Sequence, residues 1–187
     1  MKIVQGSILD VKDGYILQQC NCITVFPHGL AASLAKAFPN TCPYYFRTPV
    51  SERLNVAEIK DRSEPGTVMI LGSQPQIVNM FAQYSPGKVT PVNRIWWQLD
   101  SADGRDAYVN RVPDQTSDRE RYFQNCLDAL FDYFKETDEV VKIAVPYLIG
   151  CGLAGGNWNC YKTMLEDFEK KMLSEGIKLE MTIYQLA

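Results

Sequence analysis

The chain has 187 residues, 46% hydrophobic and 11% aromatic, which suits one globular domain and excludes a disordered or low-complexity chain. Its formal net charge of −3 and pI near 5.2 argue against general binding to nucleic-acid backbones, which calls for a basic excess. There is no long apolar run for a membrane span and no secretory-type leader, so the six cysteines (Cys20, Cys22, Cys42, Cys126, Cys151 and Cys160) read as reduced thiols of a cytoplasmic, intracellular protein.

In chain order, strand and helix signals alternate. Residues 1–4 open as a short apolar strand. Residues 15–20 form a second strand after the Asp13-Gly14 turn. Residues 29–38 read as a helix, with Leu30, Leu34 and Phe38 on one face and Pro39 ending it. Residues 67–71 and 77–82 are strands around a Gly-Ser-Gln-Pro turn. Ser117 with Glu120 three residues on predicts a capping box, and Phe123, Leu127, Leu130, Phe131 and Phe134 follow as that helix's apolar stripe. The β-branched run 140–145 is a strand buried on both faces. A helix carries Trp158, Tyr161, Leu165, Phe168 and Met172 on its inner face and stops at Gly176, and 179–186 closes the chain as a strand. This rhythm predicts one α/β domain over 1–187: a three-layer α/β/α sandwich around a mixed central sheet.

Two stretches, near 40–65 and 84–116, break the rhythm. They are read as insertions, either functional loops or surface additions without a role. The second holds Trp96, Trp97, Asp100, Asp103 and Asp106.

Two strand ends run into small-residue loops that lead to helices. Residues 146–158 read Pro-Tyr-Leu-Ile-Gly-Cys-Gly-Leu-Ala-Gly-Gly-Asn-Trp, and residues 21–30 read Asn-Cys-Ile-Thr-Val-Phe-Pro-His-Gly-Leu. Small residues let backbone N–H groups approach phosphate oxygens, and a helix start adds its dipole. Two such loops at neighbouring strand ends would face each other across a cleft and suit a pyrophosphate. A P-loop NTPase is excluded, since no G-x-x-x-x-G-K-[ST] is present. The spacing of Gly150 to Gly156 is not the dinucleotide fingerprint. A zinc site is disfavoured because His28 is the only histidine.

Asn21-Cys22 followed by His28-Gly29-Leu30 resembles the first ligand loop of the macrodomains. Gly150-Cys151-Gly152 with Gly155-Gly156-Asn157-Trp158 resembles their second. Residues 5–9 and 182–186 are similar to the family's opening and closing strands. The likeness is greatest to the class of terminal ADP-ribose glycohydrolases and yeast-type ADP-ribose-1″-phosphate phosphatases. It implies ADP-ribose as ligand, free or on a protein or nucleic acid. No cofactor, metal or membrane partner is expected, and the chain is expected to be a monomer.

Carried over by position, the resemblance implies that Gly150, Cys151, Gly152, Leu153, Ala154 and Gly155 wrap the diphosphate and distal ribose. Asn21 would bond that ribose, His28 and Gly29 would line the opposite wall, and Ile8 and Tyr184 would lie near the adenine. Plainer readings stand beside these: Asn21 as a turn cap, Tyr184 as core, Cys151 as a packing residue. For hydrolysis of an ADP-ribosyl linkage, the resemblance implies Asn21, His28 and Lys88 as catalytic candidates. It also implies an aspartate near 154, where this chain has alanine. Binding without turnover and ADP-ribose-1″-phosphate hydrolysis are the alternatives.

Overall fold

Alternate side chains along the strands enter two different cores, and this period of two builds the layers. The computed structural model describes residues 1–89 and 112–186. Its six strands are β1 (Lys2–Gln5), β2 (Tyr15–Asn21), β3 (Val68–Leu71), β4 (Gln76–Gln83), β5 (Val141–Pro146) and β6 (Leu179–Gln185). They form one sheet in the order β1-β6-β5-β2-β4-β3, parallel throughout except for the antiparallel β3–β4 pair. Among the described residues the α-helices are α1 (Leu30–Ala37), α2 (Thr116–Phe134) and α3 (Trp158–Ser174).

On one face Leu17, Val78, Met80, Ile143, Val145 and Met181 pack against Phe123, Leu127 and Leu130 of α2 and Tyr161, Leu165 and Phe168 of α3. Phe123 and Tyr161 stack with ring centroids 4.4 Å apart. On the other face Ile16, Ile77 and Ala144 pack against Leu34 of α1 and the 3-10 turn at Ile8–Asp10. The result is the expected α/β/α sandwich with a mixed sheet, and each core strand residue contributes about 1.5–3 kcal/mol by burial.

The start of α2 differs from the sequence expectation. The helix begins at Thr116, and it is the Asp118 carboxylate that reaches back to accept from the N–H of Gln115 (3.0 Å). Asp118 stands three residues after the cap, so the pair predicted at Ser117 and Glu120 is displaced by two positions.

Segment 40–65 adds 3-10 turns at Pro43–Phe46 and Ile59–Asp61 and a bridge between Pro49 and Ala57. Trp96, Trp97, Asp100, Asp103 and Asp106 lie outside the described residues. Because β2, β4 and β5 are parallel, their carboxyl ends meet at one edge. The segments after Asn21, Gln83 and Pro146 emerge there together.

Candidate functional site

A cavity of about 340 Å³ opens at that edge. Its floor is made of carboxamides. Gln18 donates to Asn79 Oδ1 (2.6 Å), Gln19 donates to Gln83 Oε1 (2.7 Å), and Gln83 donates to the carbonyl of Ser85 (2.9 Å). The β2–β4 register shifts between Gln19 and Asn21, which brings Gln83 opposite Asn21.

The first wall is the loop after β2. Asn21 Oδ1 accepts from the N–H groups of Ile23 (3.0 Å) and Thr24 (2.8 Å), and its Nδ2 donates to Thr24 Oγ1 (2.9 Å). The Asn21 amide is therefore occupied in shaping the loop, as an Asx turn does. Segment 40–65 holds this loop from behind. Arg47 donates to the carbonyls of Thr24 (2.6 Å) and Asn21 (3.0 Å), and Tyr44 Oη accepts from the N–H of Asn21 (3.2 Å).

Asn55 Oδ1 accepts from the N–H groups of Val25 (2.9 Å) and Phe26 (2.8 Å), while its Nδ2 faces His28 Nε2 at 3.4 Å. His28 and Gly29 line the cavity, and α1 starts directly after them.

The second wall is the loop between β5 and α3. Its backbone folds on itself. Ile149, Cys151, Gly155 and Gly156 donate to the carbonyls of Pro146 (3.1 Å), Leu148 (2.8 Å), Gly152 (3.2 Å) and Gly150 (2.9 Å). These turns use left-handed backbone at Leu148 (φ 60°), Gly150 (φ 69°) and Gly155 (φ 70°). Gly150 admits no side chain: a Cβ there would land on Gln19 Oε1 and lie 2.6 Å from the Tyr161 ring. Between the turns, the consecutive N–H groups of Gly152, Leu153 and Ala154 make no hydrogen bond among the described residues. All three residues line the cavity.

A buried ion pair ties this wall to the segment after β4. The Arg119 guanidinium on α2 donates to both oxygens of Asp114 (2.9 and 2.6 Å) and to the carbonyls of Gly87 (2.7 Å) and Ala154 (3.1 Å). Asp114 in turn accepts from the N–H groups of Tyr84 (2.8 Å) and Ser85 (3.0 Å).

Of the sequence candidates, Asn21, His28, Gly29, Gly150, Gly152, Leu153 and Ala154 come together around the cavity. Ile8, Cys151, Gly155, Tyr184 and Lys88 are not among the residues that line it. Ile8 is buried in the core under α1, with Tyr184 packed beside it. Cys151 Sγ donates to the carbonyl of Ile149, and burial pushes its thiol up to about 11, so it stays protonated at neutral pH. Lys88 is exposed, and its aliphatic stem lies over Gly155, where a Cβ would come 2.8 Å from its Cγ.

Phe26, Tyr44, Arg47, Asn55, Tyr147 and the three glutamines were not singled out by the sequence. The adjacent Gln18 and Gln19 near the end of an otherwise apolar strand were the one available signal for the floor. Arg47 and Asn55 left no periodic trace in a proline- and charge-rich segment.

No protein-family model matches the chain, and no curated protein matches it either. Solved structures do. A Trypanosoma brucei macrodomain in complex with ADP superposes with a TM-score of 0.56 at 10% identity, over 98% of this chain and 62% of that one. The same macrodomain in complex with ADP-ribose gives 0.54 at 10% identity, with the same coverages. A variant of the Oceanobacillus iheyensis macrodomain gives 0.53 at 17% identity, over 99% of this chain and 83% of that one.

The chain has the macrodomain fold. It spans less than two thirds of the length of the trypanosomal macrodomain chains. In this macrodomain-fold chain the cavity sits between the two loops that were matched by sequence. Among the described residues it is lined by no Asp, Glu, Lys or Arg. No helix among the described residues is long and apolar enough to cross a membrane.

Proposed function

We propose that the chain binds an ADP-ribosyl group, free or attached to a protein or nucleic acid, in the cavity between residues 21–30 and 146–157. One observation carries this reading: the three N–H groups in a row at Gly152, Leu153 and Ala154 that are unpaired among the described residues, on a cavity wall that leads into α3. Consecutive backbone donors ahead of a helix are a chemical match for phosphate oxygens. The apolar and carboxamide lining suits a nucleoside with sugar hydroxyls. Support also comes from the trypanosomal macrodomain, whose structures hold ADP and ADP-ribose.

Calorimetry tests it. ADP-ribose is expected to bind with micromolar affinity, about −8 kcal/mol. No heat with either ADP-ribose or ADP would refute the reading.

Hydrolysis of an ADP-ribosyl linkage is the second reading. It is favoured by His28 on the cavity wall and by Lys88 packed on the end of the second loop. Binding ranks first because the cavity lining offers no carboxylate or amine among the described residues, and because alanine stands at 154. Release of ADP-ribose from a modified protein or oligonucleotide, abolished by Lys88→Ala, would promote hydrolysis over binding. Phosphate release from ADP-ribose-1″-phosphate would instead mark the phosphatase.

A further inference from the structure

Among the described residues, Arg47 is a buried cation without a paired anion. Only 7% of it is exposed. Its guanidinium donates to the carbonyls of Thr24 (2.6 Å) and Asn21 (3.0 Å) and to Ser63 Oγ (2.8 Å), all neutral acceptors. It also lies over the rings of Tyr44 (5.0 Å) and Phe81 (5.5 Å). Among the described residues no carboxylate pairs with it. The contrast is Arg119, which is 3% exposed and forms a bidentate pair with Asp114. A buried charge left uncompensated is costly, so its retention calls for a reason.

The neighbouring acids do not neutralise Arg47 from within. Cys20, Cys22 and Cys42 surround it, but burial pushes all three thiols up, Cys20 to about 12. Burial raises the Tyr44 phenol as well. At neutral pH these groups carry no charge, while a guanidinium remains protonated even when desolvation lowers its pKa. Two of the groups that touch Arg47, Asn21 and Tyr44, line the cavity. The positive charge therefore stands one side chain behind the first wall. No charged side chain among the described residues lines the cavity to cancel it. A charge in this position is screened by salt far less than one at the surface.

We propose that Arg47 supplies the fixed positive charge of the cavity and that its missing counter-ion is the phosphate of the ligand. The inference rests on the reading that the cavity takes a phosphorylated nucleotide, and it divides the work between the walls. The N–H groups of Gly152 to Ala154 make the contacts, and Arg47 sets the potential from across the cleft. Arg47 is thus a positioning residue that selects for negative charge without touching the ligand. It explains how a cavity with an uncharged lining, in a chain of net charge −3, would hold a diphosphate.

The test is calorimetry on the full chain with three probes, ADP-ribose, ADP and inorganic pyrophosphate. Arg47→Gln keeps an amide donor but removes the charge, and is expected to weaken ADP and pyrophosphate at least tenfold. Arg47→Lys loses the two-pronged grip on the Asn21 and Thr24 carbonyls but keeps the charge. At pH 6 it is expected to stay within threefold of the wild type. Raising the pH to 9 should then weaken the Lys variant relative to the wild type, as the buried ammonium loses its proton.

Wild-type affinity in the Gln variant, or equal impairment of the Gln and Lys variants, would overturn the proposal. If the Gln variant does not fold, a pH profile of the Lys variant parallel to the wild type overturns it. Binding of ADP and pyrophosphate that depends on Arg47, without binding of ADP-ribose, would keep the charge assignment and remove the ADP-ribosyl reading. No binding of any of the three would remove both.

Discussion

The two walls of the cavity are built on opposite principles. The first, residues 21–30, is held by side chains: the Asn21 carboxamide inside it, and Tyr44, Arg47 and Asn55 reaching in from segment 40–65. The second, residues 146–157, is held by its own backbone turns, with glycine at two of the three positive-φ positions. The first wall has spent its side-chain amides on shape, yet the N–H groups of His28, Gly29, Leu30 and Ala31 at the start of α1 make no hydrogen bond among the described residues, and all four residues line the cavity. A wall built from backbone turns keeps a row of N–H groups free between them. Both walls thus present backbone donors to the cavity, and they differ in what holds them: side chains in the first, backbone turns in the second.

The largest effect should come from the point where the second wall depends on a side chain after all. Arg119→Met strands the Asp114 carboxylate, 9% exposed, without its cation and releases the carbonyls of Gly87 and Ala154. Removing one partner of a buried pair typically costs about 3–5 kcal/mol. Urea denaturation should show a loss of that size. A loss under about 1 kcal/mol would mean that the backbone turns hold the wall unaided.

Gly150→Ala tests the backbone principle itself. The new Cβ would strike the Gln19 amide and the Tyr161 ring and would force an alanine to φ 69°. Overpacking and left-handed strain together predict about 2–5 kcal/mol of destabilisation. A thermal midpoint equal to that of the wild type would sink the claim that glycine is required there. On the first wall, Asn55→Ala frees the N–H groups of Val25 and Phe26 and should cost less, about 1–2 kcal/mol. It should also raise proteolytic cleavage within 23–28. Unchanged cleavage would show that Asn55 does not hold the loop.

How much of this was legible in the sequence follows the same division. The strands of the sheet could be read because 140–145 and 15–20 are dense apolar runs, and the helices because their inner residues recur at helical spacing. The second wall was legible because glycine marks the backbone conformations that only it adopts readily. The scaffold of the first wall was not. Arg47 and Asn55 act on residues 23 to 30 positions away in the chain, and such contacts leave no local pattern. The same limit displaced the α2 cap: Ser117 and Glu120 carry the right spacing, but Asp118 serves Gln115. Ile8 and Tyr184 lie away from the cavity lining: Ile8 is buried in the core under α1, and the half-buried Tyr184 packs against it.

The smallest effect on stability should separate contact from architecture. Gly152 has no positive φ, and a Cβ placed on it would meet nothing within 4 Å. The fold therefore has no need of glycine at this position, unlike Gly150 two residues earlier. Gly152→Ala should leave the urea midpoint within about 0.5 kcal/mol of the wild type. On the proposed reading, the added methyl group would nevertheless crowd the wall lined by residues 152–154, where a phosphate oxygen would approach closely. Calorimetry should then show ADP-ribose weakened about tenfold or more, the equivalent of at least about 1.4 kcal/mol. Stability and affinity lost together would place Gly152 with Gly150 as an architectural residue. Affinity lost alone would mark the row of N–H groups in the second wall as a contact surface.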